Sequence, residues 1–249
     1  MSNCYKICII TVLGFAVIAF FLLFFITAPY GKFSRKGWGL NIRTKWAWMI
    51  MEFPSPVLMI IFFLISDLKT LPQLIFLLLW MAHYIHRATI YPFTQSGRNK
   101  PYPLILVTMA VLFNSLNGFI NGYGVFNVIK YDIHWLLSWQ FITGIIIFIS
   151  GFIINKTSDE KLRELRKNSP EEYVIPKGWL FTYISCPHYF GEIIEWTGWA
   201  IMTWSLPGLA FAVFTFANLF PRGWKSHIWY KEKFIDYPSG RKSVIPFII

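Results

Sequence analysis

The sequence predicts an all-α integral membrane protein, a seven-transmembrane-helix bundle. Three observations predict it. The 249 residues are 55% hydrophobic and only 14% charged. The apolar residues fall in blocks of about 20, the length at which a helix crosses ~30 Å of hydrocarbon. Basic residues crowd the connections on alternate sides of those blocks.

Taken in order, the spans are Ile7–Ile26, Trp46–Ile65, Leu71–Tyr91, Leu104–Ile120, Ile133–Ile154, Pro187–Leu206 and Leu209–Phe220. The first has a longer apolar core than a signal peptide, and no small-x-small cleavage pattern precedes the basic KFSRK stretch, so it reads as a retained span. The last is short, rising about 18 Å. It either continues as a kinked helix beyond Pro221 or re-enters without crossing. The polar insertion Asn155–Lys177 reads as a short cytoplasmic helix, with Ser158 as its N-cap and Asn168-Ser169-Pro170 as its end. The chain is one membrane domain, 1–249, with N-terminal helices in 1–132 and a C-terminal region in 133–249.

Charge decides the orientation. With seven crossings, the odd-numbered connections and the C-terminal tail share a side, and every Lys and Arg lies there except Lys6, Lys69, Lys130 and the intramembrane Arg87. The positive-inside rule makes that side cytoplasmic and puts the N-terminus outside. The net charge of +11 is thereby an orientation signal and a match to anionic headgroups. Nucleic acid is excluded as a partner, because the basic residues are spread over separate juxtamembrane loops. The three cysteines are too few for a disulfide framework or a thiolate metal site, and no metal is expected.

Polar groups inside spans are costly in hydrocarbon and mark function. Glu52 lies seven residues beyond Lys45, about 10 Å deep; Tyr84 lies equally far from the cytoplasmic end of its span, and Glu192 about 8 Å inside a helix opened by Pro187. These three groups are expected to line one cavity open to the cytoplasm. Tyr84, Arg87 and Tyr91 share a helix face at i, i+3, i+7, as do Glu192, Glu195 and Trp196 at i, i+3, i+4. Arg87 could instead only neutralise a glutamate within the bundle. His83 and His86, on other faces, read as structural, and among the aromatic residues only Trp48 and Trp196 stand beside the seam as pocket walls.

No HExxH, P-loop or GxSxG motif occurs, and NGYG at Asn121–Gly124 reads as an interhelical turn, not a dinucleotide fingerprint. The cytoplasmic loops offer another way to hold a nucleotide. Asn155, Asp159, Arg163 and Arg166, then Arg222, Tyr230, Arg241 and Lys242, combine carboxylate and amide groups for hydroxyls with guanidinium forks for phosphates, a mixture that suits a dinucleotide with an extra phosphate. Contact with lipid headgroups would account for the basic residues equally well.

Five stretches, NKTSDEKLRELRK, YVIPKGWLFTYIS, HYFGEIIEWTGWA, TWSLPGLAFA and FIDYPSGRKSVIPFII, follow one another across Asn155–Ile249 and together resemble the C-terminal domain of the steroid 5α-reductase family. EFPS at Glu52–Ser55, HYIHRATIYPF at His83–Phe93 and RNKPYP at Arg98–Pro103 extend the resemblance toward the N-terminus. Compact size points to a bacterial member. The resemblance implies NADPH-dependent reduction of the Δ4 double bond of a 3-oxo steroid, in a seven-helix bundle with cytoplasmic loops closing a cofactor cavity. By similarity Glu52 and Tyr84 hold the C3 carbonyl oxygen and Glu192 grips the nicotinamide carboxamide. Arg87, Tyr91 and His188 are assigned to the cofactor with the eight loop residues named above, His188 toward the pyrophosphate. Two positions depart from the mammalian members, His188 in place of asparagine and Ser226 in place of histidine. The steroid is expected to enter from lipid, and the chain to act as a monomer. A membrane enoyl-CoA or polyprenol reductase is the nearest alternative, and a small-molecule transporter a more distant one.

Overall fold

The computed structural model describes residues 2–168 and 173–249. Helix α1 (Asn3–Phe25) is apolar all round and buries only Tyr5, Ile9, Val12 and Ala16, a stripe at helical spacing that lies against the bundle while the other faces are exposed. The Tyr5 hydroxyl donates to the Ile120 carbonyl at 2.6 Å. The second predicted span is two helices, α2 (Thr44–Glu52) and α3 (Pro54–Ile65), because Pro54 has no amide to continue the hydrogen-bond ladder. Glu52 stands at that break. Helix α4 (Leu71–Ile85) begins with a reciprocal capping box between Thr70 and Gln73, loosens into a π turn over His86–Ile90 and closes with α5 (Tyr91–Thr94).

A feature that the all-α expectation omits is a two-stranded antiparallel ribbon, β1 (Asn41–Arg43) with β2 (Pro101–Pro103). It ties the first and third connections together. Lys32 from the first connection reaches the rings of Trp229 and Tyr230, and the segment around Ser185 hydrogen-bonds the backbone at Lys242 and Ser243. The connections predicted to share a face therefore do meet at one end of the bundle.

Helix α6 (Leu104–Tyr123) runs into a second π turn, Gly124–Val128, so Asn121–Gly124 is helical and not the interhelical turn that NGYG suggested. Ile133–Leu137 form a 3-10 turn, and α7 (Trp139–Asn168) is one helix of 30 residues. The fifth span and the separate cytoplasmic helix expected after it are thus a single element. Ser158 is buried within α7 and caps nothing; Ser169 and Pro170, the expected stop, lie outside the described residues. Periodicity misled here because an apolar segment and a polar one can share one unbroken hydrogen-bond ladder.

Helix α8 (Pro187–Thr203) starts with proline in its first turn, as predicted. Trp204 then turns through a left-handed conformation at φ 43° and Ser205 caps α9 (Leu206–Lys233). Helix α9 passes Pro221 without ending, which selects the continuous alternative for the last span. Five helices, α1, α2 with α3, α4 to α5, α6 and α7, are long and apolar enough to cross a membrane.

Helices α7 and α8 approach more closely than side chains permit. A Cβ on Gly151 would strike the Glu195 amide and the Gly191 carbonyl; one on Gly191 would strike the Asn155 amide, and one on Gly198 the Phe148 amide. Only glycine fits such a backbone-to-backbone seam. Beside it lies an aromatic core that includes Phe76, Trp80, Tyr84, Phe148, Trp196, Trp199 and Phe211.

Candidate active site

The seam sets the first part of the site. It brings α7 and α8 so close that Asn155 Nδ2 donates to the His188 carbonyl at 2.9 Å and to Glu192 Oε2 at 3.4 Å. Opposite them the π turn of α4 presents Arg87. Its guanidinium lies 3.6 Å from Asp159 Oδ2 and 3.9 Å from Glu192 Oε2, between the rings of Trp48 at 4.6 Å and Tyr91 at 4.7 Å. Arg87 thereby joins α2, α4, α7 and α8 at one point.

These groups wall a cavity of about 530 Å³ that extends from Glu192 to the gathered connections. Of the residues singled out from sequence, Trp48, Arg87, Tyr91, Asn155, Asp159, Arg163, Arg166, His188, Glu192, Arg222 and Tyr230 line it. Five others stand off its wall. Tyr84 is buried behind it beside Ser55, and Glu52 lies within electrostatic reach of Tyr84, Arg87 and Glu192. Trp196 is sealed in the core against Trp80, His83 and Phe211, with ring centroids 4.4 to 5.0 Å away. Arg241 reaches Tyr237, and Lys242 pairs its backbone with Ile184.

Sequence reasoning missed several lining residues. His86, read as structural, faces the cavity, and so do Tyr30, Lys32, Lys100 and Lys156. The basic character of their loops was the only signal, and it did not separate ligand contacts from headgroup contacts. His83 is satisfied as expected, 2.8 Å from Glu195, but Glu195 is fully buried and does not border the cavity.

The lining is cationic beyond its own needs. It holds Lys32, Arg87, Lys100, Lys156, Arg163, Arg166 and Arg222 against Asp159, Glu160 and Glu192, a formal surplus of four cationic side chains. The acids are engaged by Arg87 and by Arg163, whose Nη2 lies 3.3 Å from Glu160. Four of the remaining cations rest on aromatic rings: Lys32 on Trp229 and Tyr230, Lys156 on Phe152, Arg166 on Tyr173 at 3.5 Å, and Arg222 on Tyr30, to whose hydroxyl it also donates at 2.7 Å. Burial pushes the Lys32 ammonium down to about 8. Several lining atoms are buried without a hydrogen-bond partner: His86 Nδ1, Asn155 Oδ1, Lys156 Nζ, His188 Nδ1 and Arg222 Nε. Native structures leave few polar atoms so, and a cluster of them around one cavity marks a place for a polar ligand. Among the described residues no group of three or more His, Cys, Asp and Glu side chains could hold a metal.

Residues 100–249 match the family model described as 3-oxo-5-alpha-steroid 4-dehydrogenase. The chain is 40% identical to the steroid 5-alpha-reductase DET2 of Arabidopsis thaliana, covering 98% of this chain and 96% of that protein. It is 38% identical to the 3-oxo-5-alpha-steroid 4-dehydrogenase 1 of Bos taurus over 94% of this chain and 92% of that one, and 38% identical to its counterpart from Homo sapiens over 88% and 85%.

Proposed function

Because the chain belongs to the 3-oxo-5-alpha-steroid 4-dehydrogenase family, we propose that it reduces the Δ4 double bond of a 3-oxo-Δ4-steroid to the 5α product with NADPH. The observation that carries the cofactor reading is the formal surplus of four cationic side chains on the cavity wall. A pyrophosphate and a 2′-phosphate together bring about four negative charges at neutral pH, where the dinucleotide without the extra phosphate brings about two. The volume lies within the ordinary range of ligand sites, about 300 to 1,000 Å³.

In this reading Glu192 and Asn155 hold the carboxamide, Asp159 a ribose hydroxyl, and Arg222, Lys32 and His188 the pyrophosphate. Arg163 and Arg166, farther along α7, take the 2′-phosphate, and Arg87 with Trp48 and Tyr91 encloses the nicotinamide end. The bound dinucleotide supplies the hydride that adds to C5. Tyr84 donates a hydrogen bond to the C3 oxygen, where negative charge develops, and Glu52 orients that phenol or donates beside it. Donors preplaced in a water-poor site stabilise such charge best. Water delivers the proton to C4. The steroid reaches Tyr84 laterally from lipid, on the side of α2, α3 and α6. The bundle makes seven crossings as a monomer, with the N-terminus outside and the cavity and C-terminus in the cytoplasm.

The test is NADPH oxidation and product analysis with a 3-oxo-Δ4-steroid, using protein in lipid nanodiscs. Tyr84→Phe and Glu52→Gln should each lower kcat by about a hundredfold or more, and Glu192→Ala should raise the NADPH requirement. Near-wild-type rates in all three reject the assignment. Faster oxidation with an enoyl-CoA or a polyprenol reassigns the substrate.

A further inference from the structure

Behind the cavity, the aromatic core encloses an ionisable pair to which the mechanism above gives no task. His83 Nδ1 and Glu195 Oε1 lie 2.8 Å apart, with side chains 3% and 0% exposed. Such groups are costly to keep in apolar surroundings. Glu195 Oε2 has no hydrogen-bond partner, so among the described residues His83 is the sole hydrogen-bonding anchor of that carboxyl.

The neighbours of the pair suggest what it does. The His83 ring stands edge-on to Tyr84, with centroids 5.1 Å apart, and edge-on to Trp196 at 4.7 Å; Tyr84 stacks on Trp80 at 5.2 Å. The imidazole is therefore one of the surfaces that hold the Tyr84 ring. Glu195 follows Glu192 by one turn of α8. A single hydrogen bond thus joins the helix bearing the carbonyl donor to the helix bearing the nicotinamide anchor.

The geometry points to His83 and Glu195 as positioning residues for the reduction, a clasp between α4 and α8 that sets the Tyr84 phenol relative to Glu192. This inference rests on the reductase reading. Without its carboxyl partner the imidazole is free to rotate, and Tyr84 loses a fixed neighbour on one side. A displacement of about 1 Å at a reacting centre lowers rates by about a hundredfold.

The experiment compares kcat with the NADPH dissociation constant, read by titrating nicotinamide fluorescence, in full-length protein. Glu195→Ala and His83→Ala should each lower kcat between about tenfold and a hundredfold, and the double variant should lose no more than either alone, since both remove one interaction. Glu195→Gln offers an acceptor or a donor to either imidazole tautomer, and should stay within about threefold of wild type. The pair His83→Phe with Glu195→Leu leaves no polar group unpaired, so it should keep the fold and NADPH binding yet lose about tenfold in kcat. The clasp is overturned by additive losses in the alanine variants, by Glu195→Gln falling as far as Glu195→Ala, by wild-type kcat in the apolar pair, or by NADPH affinity falling in step with kcat. Wild-type protein that leaves the steroid unreduced refutes the reductase reading instead.

Discussion

On one side of the cavity α7 and α8 touch backbone to backbone; on the other, α2 and the π turn of α4 reach it through side chains such as Trp48 and Arg87. The first wall leaves its polar groups where the glycine seam fixes them: Asn155 bonds the His188 carbonyl across the contact, and Glu192 sits one turn further on. The second wall is built from helices interrupted at Pro54 and widened over His86–Ile90, and its functional groups, Arg87 and Trp48, hold position by charge and ring contacts. One wall is a fixed template, and the other is an arrangement of replaceable side chains.

The largest effect should come from breaking the template. Gly151→Leu drives a side chain into the Glu195 amide and the Gly191 carbonyl, where overpacking costs about 1 to 3 kcal/mol or more. The expected result is a lower unfolding temperature and no measurable NADPH binding. Gly14→Ala is the control, because a Cβ there meets nothing within 4 Å and alanine favours a helix by about 0.5 to 1 kcal/mol. A harmless Gly151→Leu would erase the contrast between the walls.

On the side-chain wall, Arg87→Met leaves Asp159 and Glu192 without their cation. NADPH affinity should fall at least a hundredfold in a fluorescence titration while the unfolding temperature changes less than in Gly151→Leu. The reverse order of these two effects would make Arg87 part of the template.

A smaller effect sharpens the comparison at the mouth of the cavity. Lys32 carries its charge below about pH 8 and loses it as pH rises through that value, because burial disfavours the ammonium. NADPH affinity should therefore decline by roughly threefold between pH 7 and pH 9, the modest weight of a partly exposed cation. Lys32→Met should show the weaker affinity already at pH 7 and remove that portion of the pH dependence. An unchanged profile in Lys32→Met would assign the titration to another group.

Much of the template was legible in the sequence. Pro187 announced the start of α8 and Glu192 was picked out as a polar group inside an apolar helix, whereas Asn155 and Asp159 were read as loop residues suited to a nucleotide and His188 was assigned through the family resemblance. The side-chain wall was less legible. Tyr84, Arg87 and Tyr91 share a face only while the helix is regular; the π turn that begins at His86 shifts the register between them, so Arg87 and Tyr91 line the cavity and Tyr84 does not. Lys32 and Tyr30 were hidden for another reason. Their place depends on contacts across nearly 200 positions of chain, such as Tyr30 with Arg222, and no local pattern encodes those.

The seam between α7 and α8 also separates what can change from what cannot. Four glycines, at 144, 151, 191 and 198, leave no room for drift in the half proposed to grip the reductant. A lineage that turns to a new enone can therefore recut the facing wall residue by residue, while the redox half is inherited whole.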